Sequence, residues 1–191
     1  MPLPKQKSGY SFADYLTWDE SERWEIIDGT PYMQSAPSRI HQEISFGLLM
    51  QFGNYLKDKG CKIYHAPFSV RLDLTENDED VKNVVEPDLT IVCDSSKLDE
   101  RGCKGSPDMI IEILSPSSAK MDKVIKFEKY EQAGVKEYWI LEPEPKLVSV
   151  FVLQENNRYG RPNMYTDDDT ISVSIFPDLE IDLRSVFSSI Q

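Results

Sequence analysis

The segment Met109-Ile-Ile-Glu-Ile-Leu114 is an apolar run with one carboxylate, that of Glu112, in its middle. An unbroken apolar run of this kind is typical of a strand buried on both faces of a sheet. Burying an ionised carboxylate there costs several kcal/mol unless a cation or hydrogen bonds compensate it. The segment therefore predicts a central strand in which Glu112 has a partner, either an ordinary Lys or Arg or a metal ion.

A second acid, Asp88, lies 24 positions before Glu112, near the start of another β-rich segment (Glu86–Val92). Neighbouring strands are about 4.8 Å apart, so carboxylates that face the same way on both strands can share one cation. Asp108 is a rival, but four residues of one strand separate it from Glu112 by roughly 13 Å, too far for one Mg²⁺. Asp88 and Glu112 are therefore the predicted pair of metal ligands.

A helix is predicted after this strand, from about Ala119 to Ala133, with Gly134 at its carboxyl end. Asp122, Lys126 and Tyr130 follow one another at intervals of four residues, so they share one face of that helix. Apolar residues surround the helix, so the pattern does not assign its buried face. Asp122 and Lys126 are therefore either part of a site or an ordinary surface ion pair.

The other elements follow from local patterns, such as the Asp28-Gly29 hairpin signal and apolar residues spaced by three and four after Ser38. In chain order we predict a short helix (Ser11–Trp18), a hairpin (Arg23–Ile27 and Thr30–Gln34), a helix from Ser38 to about Lys59, β-rich segments (Lys62–Leu74 and Val84–Cys93) and strands (Lys136–Leu141, Leu147–Leu153 and Ile171–Ile175). The order of helix, three strands, helix and strand predicts an α/β (α+β) fold around a mixed central sheet, with extra strands at both ends. We treat residues 1–191 as one domain.

The cysteines and the N-terminus bear on the compartment. The three cysteines are odd in number and form no CxxC pair, which argues against a disulfide framework and a structural zinc site. No apolar run reaches the roughly 20 residues that span a bilayer, and residues 1–7 lack the apolar core of a signal peptide. We therefore expect a cytoplasmic protein without a membrane partner.

The net charge of −12 speaks against binding to nucleic acid, which draws affinity from Lys and Arg. Five of the eight residues from Asp73 to Asp80 are acidic, and this run reads as a solvated loop. Four lysines fall within ten residues of the helix after Glu112: Lys120, Lys123, Lys126 and Lys129. We predict that they form a local basic face for nucleic acid, away from the acidic loop.

Several fragments together resemble one protein family. They are Pro87-Asp88, Ser106–Ser117 around Glu112, the Asp122-x-x-x-Lys126-x-x-x-Tyr130 pattern and Gly134–Trp139. In order and spacing these fragments resemble the Uma-type family of restriction-endonuclease-like proteins, within the PD-(D/E)xK nuclease superfamily. The resemblance extends from Trp24–Gly29 to Phe176–Asp182. It implies a restriction-endonuclease-like core of helix, three strands, helix and strand, at about residues 37–143.

The resemblance also implies roles for individual residues. Asp88 matches the first superfamily acid and Glu112 the second, and the two would hold Mg²⁺ or Mn²⁺. The superfamily lysine usually stands two residues after the second acid, where this chain has Leu114. Lys126 from the following helix is the candidate replacement.

Three further residues are candidates, His41 as a catalytic residue and Asp122 and Lys123 as supporting residues. Asp122 would hold the side chain of Lys126, and Lys123 is the rival lysine. His41 matches a histidine near the start of the first long helix, where it would contact phosphate or the outer shell of the metal, or would pack or cap there.

These assignments imply a metal-dependent endonuclease that hydrolyses phosphodiester bonds, with DNA as the expected substrate. Two alternatives stay open: a phosphodiesterase acting on RNA or a small nucleotide, and a catalytically silent nuclease fold that serves as a binding or assembly module. A homodimer is compatible with the sequence.

Overall fold

The computed structural model describes residues 9–19 and 21–188, and residues 1–7, for which no signal peptide is predicted, lie outside the described residues. The helices are α1 (Phe12–Tyr15), α2 (Arg39–Leu56), α3 (Phe127–Ala133) and α4 (Leu183–Phe187), with a 3₁₀ turn (Ser95–Lys97) and a π-helical segment (Met121–Lys126) directly before α3. The strands are β1 (Trp24–Ile27), β2 (Thr30–Met33), β3 (Lys62–His65), β4 (Val70–Arg71), β5 (Val84–Val85), β6 (Leu89–Val92), β7 (Leu98–Asp99), β8 (Gly102–Lys104), β9 (Met109–Ile113), β10 (Glu137–Glu142), β11 (Leu147–Val152), β12 (Asn163–Thr166), β13 (Thr170–Ser172) and β14 (Glu180–Asp182).

The core sheet has the strand order β12-β11-β10-β9-β6-β3. Strand β9 runs parallel to β10 and antiparallel to β6, so the sheet is mixed, as predicted. Along the chain α2 precedes β3, β6 and β9, and α3 then leads into β10. This is the predicted order of helix, three strands, helix and strand, and the additional strands β11 and β12 extend one side of the sheet.

A second sheet, here called the N-terminal sheet, has the order β2-β1-β5-β4-β8-β7. Its β1–β2 hairpin is confirmed, with Asp28 and Gly29 at positive φ (49° and 73°) as a two-residue turn of this kind requires. The β-rich segment predicted over Val84–Cys93 is in fact divided between the two sheets, because Pro87 separates β5 from β6. Asp88 consequently lies where the chain passes from one sheet to the other.

Helix α2 forms through the N-terminal cap and the apolar spacing that the sequence analysis used to predict it. The Ser38 side chain accepts a hydrogen bond from the backbone N–H of His41 and caps its first turn. Its residues Ile44, Leu48 and Phe52 recur every four positions and are fully buried against the core sheet. The helix ends at Leu56, earlier than predicted.

Strand β9 separates two hydrophobic clusters, and all five of its residues are buried. Ile111 and Ile113 belong to the cluster that contains α2, whereas Ile110 and Leu114 belong to the cluster that contains Tyr130 of α3. Because side chains alternate along a strand, Glu112 lies on the α3 side. The apolar run therefore contacts apolar layers on both faces, as its sequence predicts.

The expectation of unpaired cysteines is wrong. Cys61 and Cys93 form a disulfide, and the free Cys103 is buried. The physical reason lies in the register of β3 and β6, in which Lys62 pairs with Val92, so that the next residues outward face each other. An odd count of cysteines could not reveal this, because the pairing depends on which strands become neighbours.

The strand predicted over Ile171–Ile175 is shorter and pairs as β13 with β14, outside both large sheets.

In the part of the chain that the structure describes, no helix is long and apolar enough to cross a membrane.

Candidate active site

The structure brings Asp88 and Glu112 together across two antiparallel strands. Leu89 of β6 pairs with Ile111 of β9, so the next pair outward joins Asp88 to Glu112. The backbone N–H of Ile113 donates a hydrogen bond of 2.7 Å to Asp88 Oδ2 and holds that carboxylate at the end of its strand. The predicted pair of acids is thus adjacent in space.

Glu112 is compensated by two buried groups from the segment after β9. Lys126 Nζ lies 2.8 Å from Glu112 Oε1, and the Tyr130 hydroxyl donates to the same oxygen at 2.7 Å. Glu112 is 3% exposed, and so is Lys126. The ordinary ion pair considered from the sequence is therefore present, and it involves the lysine that the family resemblance selects.

Lys126 is surrounded by carboxylates on more than one side. Its Nζ lies 2.7 Å from Glu25 Oε1 and 3.5 Å from Asp122 Oδ1, in addition to the contact with Glu112. Lys126 lies in a π-helical segment, Met121–Lys126, whereas the sequence analysis predicted a regular α-helix there. Such segments are rare and are frequently found at functional sites. Asp122 and Lys126 are both buried within it, so they are not a surface ion pair.

Glu25 is a member of the site that sequence reasoning missed. It lies on β1 and is fully buried, and its Oε1 accepts a hydrogen bond of 2.8 Å from the backbone N–H of Glu86. The side chain of Gln34 donates to its other oxygen. A signal was present, because Trp24-Glu-Ile-Ile27 is a carboxylate inside an apolar run, the same pattern that drew attention to Glu112.

Burial dominates the ionisation of these groups. It raises the pKa of Glu112 well above its usual value and raises that of Glu25, while the Lys126 ammonium opposes both shifts. Burial alone would lower the pKa of Lys126, but Glu112, Glu25 and Asp122 raise it well above its ordinary value. Lys126 is therefore a permanent cation at neutral pH. Burial also raises the pKa of Tyr130, which keeps its hydroxyl proton and remains a donor to Glu112.

His41 contacts the first acid from the start of α2. Its Nε2 lies 3.0 Å from Asp88 Oδ2, and the side chain is 16% exposed. Among the described residues its Nδ1 atom has no hydrogen-bond partner, although it is buried.

Five of the six predicted site residues border one cavity of about 730 Å³. Its walls include the segment between β2 and α2, the turn after β9 and the end of β10. The predicted site residues among its lining are His41, Asp88, Glu112, Asp122 and Lys126. Candidate site residues from four separate segments of the sequence therefore meet at one cavity.

The donor atoms at the cavity suit a hard divalent cation. No described residue donates a hydrogen bond to Asp88 Oδ1 or Glu112 Oε2, which leaves two carboxylate oxygens open. In the described ranges no group of three or more His, Cys, Asp or Glu could hold a metal ion by itself. Mg²⁺ is commonly held by one or two carboxylates and keeps several of its water ligands. The two open carboxylate oxygens therefore suit Mg²⁺ better than an ion whose ligands all come from the protein.

Other predicted residues lie elsewhere. Lys123 pairs with Glu142 of the cavity lining, at 2.8 Å between Nζ and Oε2, and not with Glu112. Lys126 is buried and Lys129 contacts Asp28, so the four lysines of this segment do not form the predicted exposed basic face.

The rival acid Asp108 is also outside the site. It accepts a hydrogen bond from the backbone N–H of Cys93 at 2.7 Å and pairs with Lys136 at 2.6 Å, at the opposite end of β9 from Glu112. This position agrees with its exclusion from the sequence-based metal site.

Comparison with known families identifies the chain's relatives. The family model described as "Uma2: Putative restriction endonuclease" matches residues 12–184. The chain belongs to this family. Every site residue named above falls inside the matched range. Within this Uma2 chain Leu114 is buried, and the ammonium beside Glu112 comes from Lys126.

Two individual proteins illustrate the relationship. The chain is 30% identical over 131 residues to "Uncharacterized protein slr1290" of Synechocystis sp., an alignment that covers 68% of this chain and 64% of that protein. It is also similar to the crystal structure of "a putative nuclease belonging to DUF820" from Anabaena variabilis, with a TM-score of 0.74 and 18% identity, covering 93% of this chain and 97% of the other. The second likeness shows that the fold is shared, which confirms the predicted fold class.

Proposed function

We propose that this Uma2 protein is a metal-dependent nuclease that hydrolyses phosphodiester bonds, with DNA as its substrate. The observation that carries the proposal is the pairing of Asp88 with Glu112 at one cavity, with the Lys126 ammonium 2.8 Å from Glu112. The family is described as "Putative restriction endonuclease" and the Anabaena protein as "a putative nuclease", and both descriptions support the same class of activity here.

The charges of the site favour a cation. Four carboxylates, those of Glu25, Asp88, Glu112 and Asp122, surround or adjoin the ammonium of Lys126. The excess of negative charge lies in a buried region, where it is costly unless compensated. A divalent cation on Asp88 and Glu112 would offset it, and when bound it would polarise the scissile phosphate and lower the pKa of an attacking water.

Lys126 would act as a fixed positive charge. Because its pKa is raised well above the usual value, it is unsuited to accept a proton from water. Held by Glu25 and Asp122, it would keep Glu112 oriented and offset the negative charge that develops on the phosphate in the transition state. We therefore assign Lys126 the role of a fixed positive charge and not that of a base.

His41 would position the first acid. Its contact with Asp88 Oδ2, together with the backbone N–H of Ile113, occupies that oxygen and leaves Oδ1 toward the cavity. In the reaction the oxygen of water bonds to phosphorus and gives up one proton to solvent, while the ester P–O bond breaks and the leaving oxygen takes up a proton from solvent. For this role His41 would act only through its contact with Asp88.

The test is hydrolysis of a fluorescent oligonucleotide by the full chain in Mn²⁺, with EDTA as the negative condition. Glu112→Gln and Asp88→Ala should each abolish the metal-dependent rate. Asp108→Ala is the matched control, because it removes a buried aspartate from the same β9 region without touching the cavity. A wild-type rate that persists in EDTA would contradict the metal dependence, and one that persists in both site variants would contradict this site. Absence of hydrolysis under every condition would show that the fold acts as a scaffold.

A further inference from the structure

The walls of the cavity carry an excess of negative charge that bears on what can enter it. Six carboxylates line it: Glu86, Asp88, Glu112, Asp122, Glu142 and Glu144. Its described lining contains one arginine, Arg23, and one lysine, Lys126, and both form ion pairs with carboxylates. Arg23 Nε lies 3.0 Å from Glu86 Oε2, and Lys126 contacts three carboxylates. The described walls therefore offer a phosphate no lysine or arginine that lacks a carboxylate partner.

Of the lysines and arginines next to the lining, Lys123 and Arg39 are paired, whereas Lys120 is exposed and forms no ion pair with a described residue. Lys123 contacts Glu142 at 2.8 Å, and Arg39 contacts Glu43 at 2.6 Å at the start of α2. A duplex held by six to ten phosphate contacts needs about that many free Lys or Arg groups, as a rough rule. The described surroundings of this site do not supply them, and the net charge of −12 adds long-range repulsion.

The size and the apolar part of the cavity point to a smaller ligand. Its volume of about 730 Å³ lies within the roughly 300–1,000 Å³ typical of pockets that enclose small molecules. Tyr32 of β2 pairs directly with Glu25 of β1, so both side chains lie on the same face, and Tyr32 lines the cavity. A half-buried aromatic ring beside a phosphodiester site is suited to stacking of an unpaired base.

We infer that the substrate enters as a single strand or a strand end, with one or two phosphates at the site and one base on Tyr32, and that continuous duplex is a poor substrate. The inference rests on the proposed function. The metal and the stacked base, not a set of lysines, would then provide most of the binding.

The first test compares two DNA substrates of the same sequence in Mn²⁺: a labelled single strand of about 12 nucleotides and a closed dumbbell duplex without ends. We expect the single strand to be cleaved at least about 100-fold faster. Its KM should change weakly with salt, with a slope of log(1/KM) shallower than about −2, since each single-strand phosphate contact contributes about −0.7.

The second test addresses the base. Tyr32→Ala should raise KM for the single strand by about 10-fold with little change in kcat, whereas Tyr32→Phe retains the ring and should behave as the wild type. Tyr165→Ala is the matched control, a half-buried tyrosine on β12 that does not line the cavity. Melting temperatures of all variants separate loss of stacking from loss of the fold.

The outcomes distinguish this inference from the proposed function. Equal cleavage of strand and dumbbell, a steep salt dependence, or an unchanged KM in Tyr32→Ala with the wild-type melting temperature overturns the single-strand inference and leaves phosphodiester hydrolysis standing. Absence of metal-dependent cleavage of either substrate overturns both.

Discussion

The carboxylate of Glu25 and the ammonium of Lys126 lie 2.7 Å apart, both essentially without solvent contact. Glu25 comes from the N-terminal sheet, whereas Lys126 belongs to the helical segment that follows the core strand β9. Their contact therefore joins the N-terminal sheet to the acid pair on the core sheet. It makes the β1 strand part of the site and not a peripheral addition.

Glu25→Gln should lower the cleavage rate by about 10- to 100-fold, the usual range for a residue that holds a functional group in place. The amide keeps the shape of the side chain but removes the charge that fixes Lys126. Steady-state kinetics in saturating Mn²⁺ should show the loss in kcat. Glu137→Gln is the control, since Glu137 is also fully buried but bonds to Trp139 and the backbone of Ile175 away from the cavity. Equal losses in the two variants would mean that burial alone explains the effect.

Lys126→Ala should reduce cleavage by about 10² to 10⁴, the scale of a positioned catalytic group. It should also destabilise the fold by about 3–5 kcal/mol, because Glu25 and Glu112 lose a buried partner. Urea denaturation measures the second effect and oligonucleotide cleavage the first. Lys123→Ala, at an exposed rim position, should resemble the wild type in both. If Lys123→Ala is inactive and Lys126→Ala is active, the assignment of the lysine is wrong.

Mg²⁺ or Mn²⁺ should raise the melting temperature, because a ligand that binds only the folded state stabilises it by about 2.7 kcal/mol at one hundred times its Kd. Asp88→Ala removes one of the two open carboxylates and should abolish this increment. Asp108→Ala should lower the melting temperature itself, through loss of its contacts with Lys136 and Cys93, yet keep the increment. Differential scanning fluorimetry with and without EDTA gives both quantities. An identical metal increment in wild type and Asp88→Ala would remove Asp88 from the site.

In EDTA, the free energy of unfolding should fall as pH rises above the usual carboxyl pKa. Burial raises the pKa of Glu112 well above that of the unfolded chain, about 4.3 for a glutamate, so the folded state binds the extra proton. The stabilisation this proton provides is complete below the unfolded pKa and is lost as pH rises through the raised one. Glu112→Gln should flatten that decline, as seen in urea titrations across about pH 4 to 8. A decline of the same size in the variant would assign it to other groups.

Much of the fold could be predicted from the sequence because the signals are local. The spacing of Ile44, Leu48 and Phe52 indicates α2, the Asp28-Gly29 pair indicates the hairpin, and the apolar run around Glu112 indicates a strand buried on both faces. The pairing of Asp88 with Glu112 could also be predicted, because two acids on adjacent strands lie within reach of one another whenever those strands pair.

The tertiary structure alone decided the rest, because these features depend on which distant segments become neighbours. The bond between Cys61 and Cys93 follows from the register of β3 and β6, which no count of cysteines contains. The contact of Glu25 with Lys126 depends on the N-terminal sheet packing against the segment before α3. The sequence pattern could not assign the buried face of that segment, because apolar residues occur all around the predicted helix. The sequence by itself determined helix α2, the hairpin and the acid pair, and the packing of the two sheets decided between Lys126 and its rival Lys123 as the lysine that contacts Glu112.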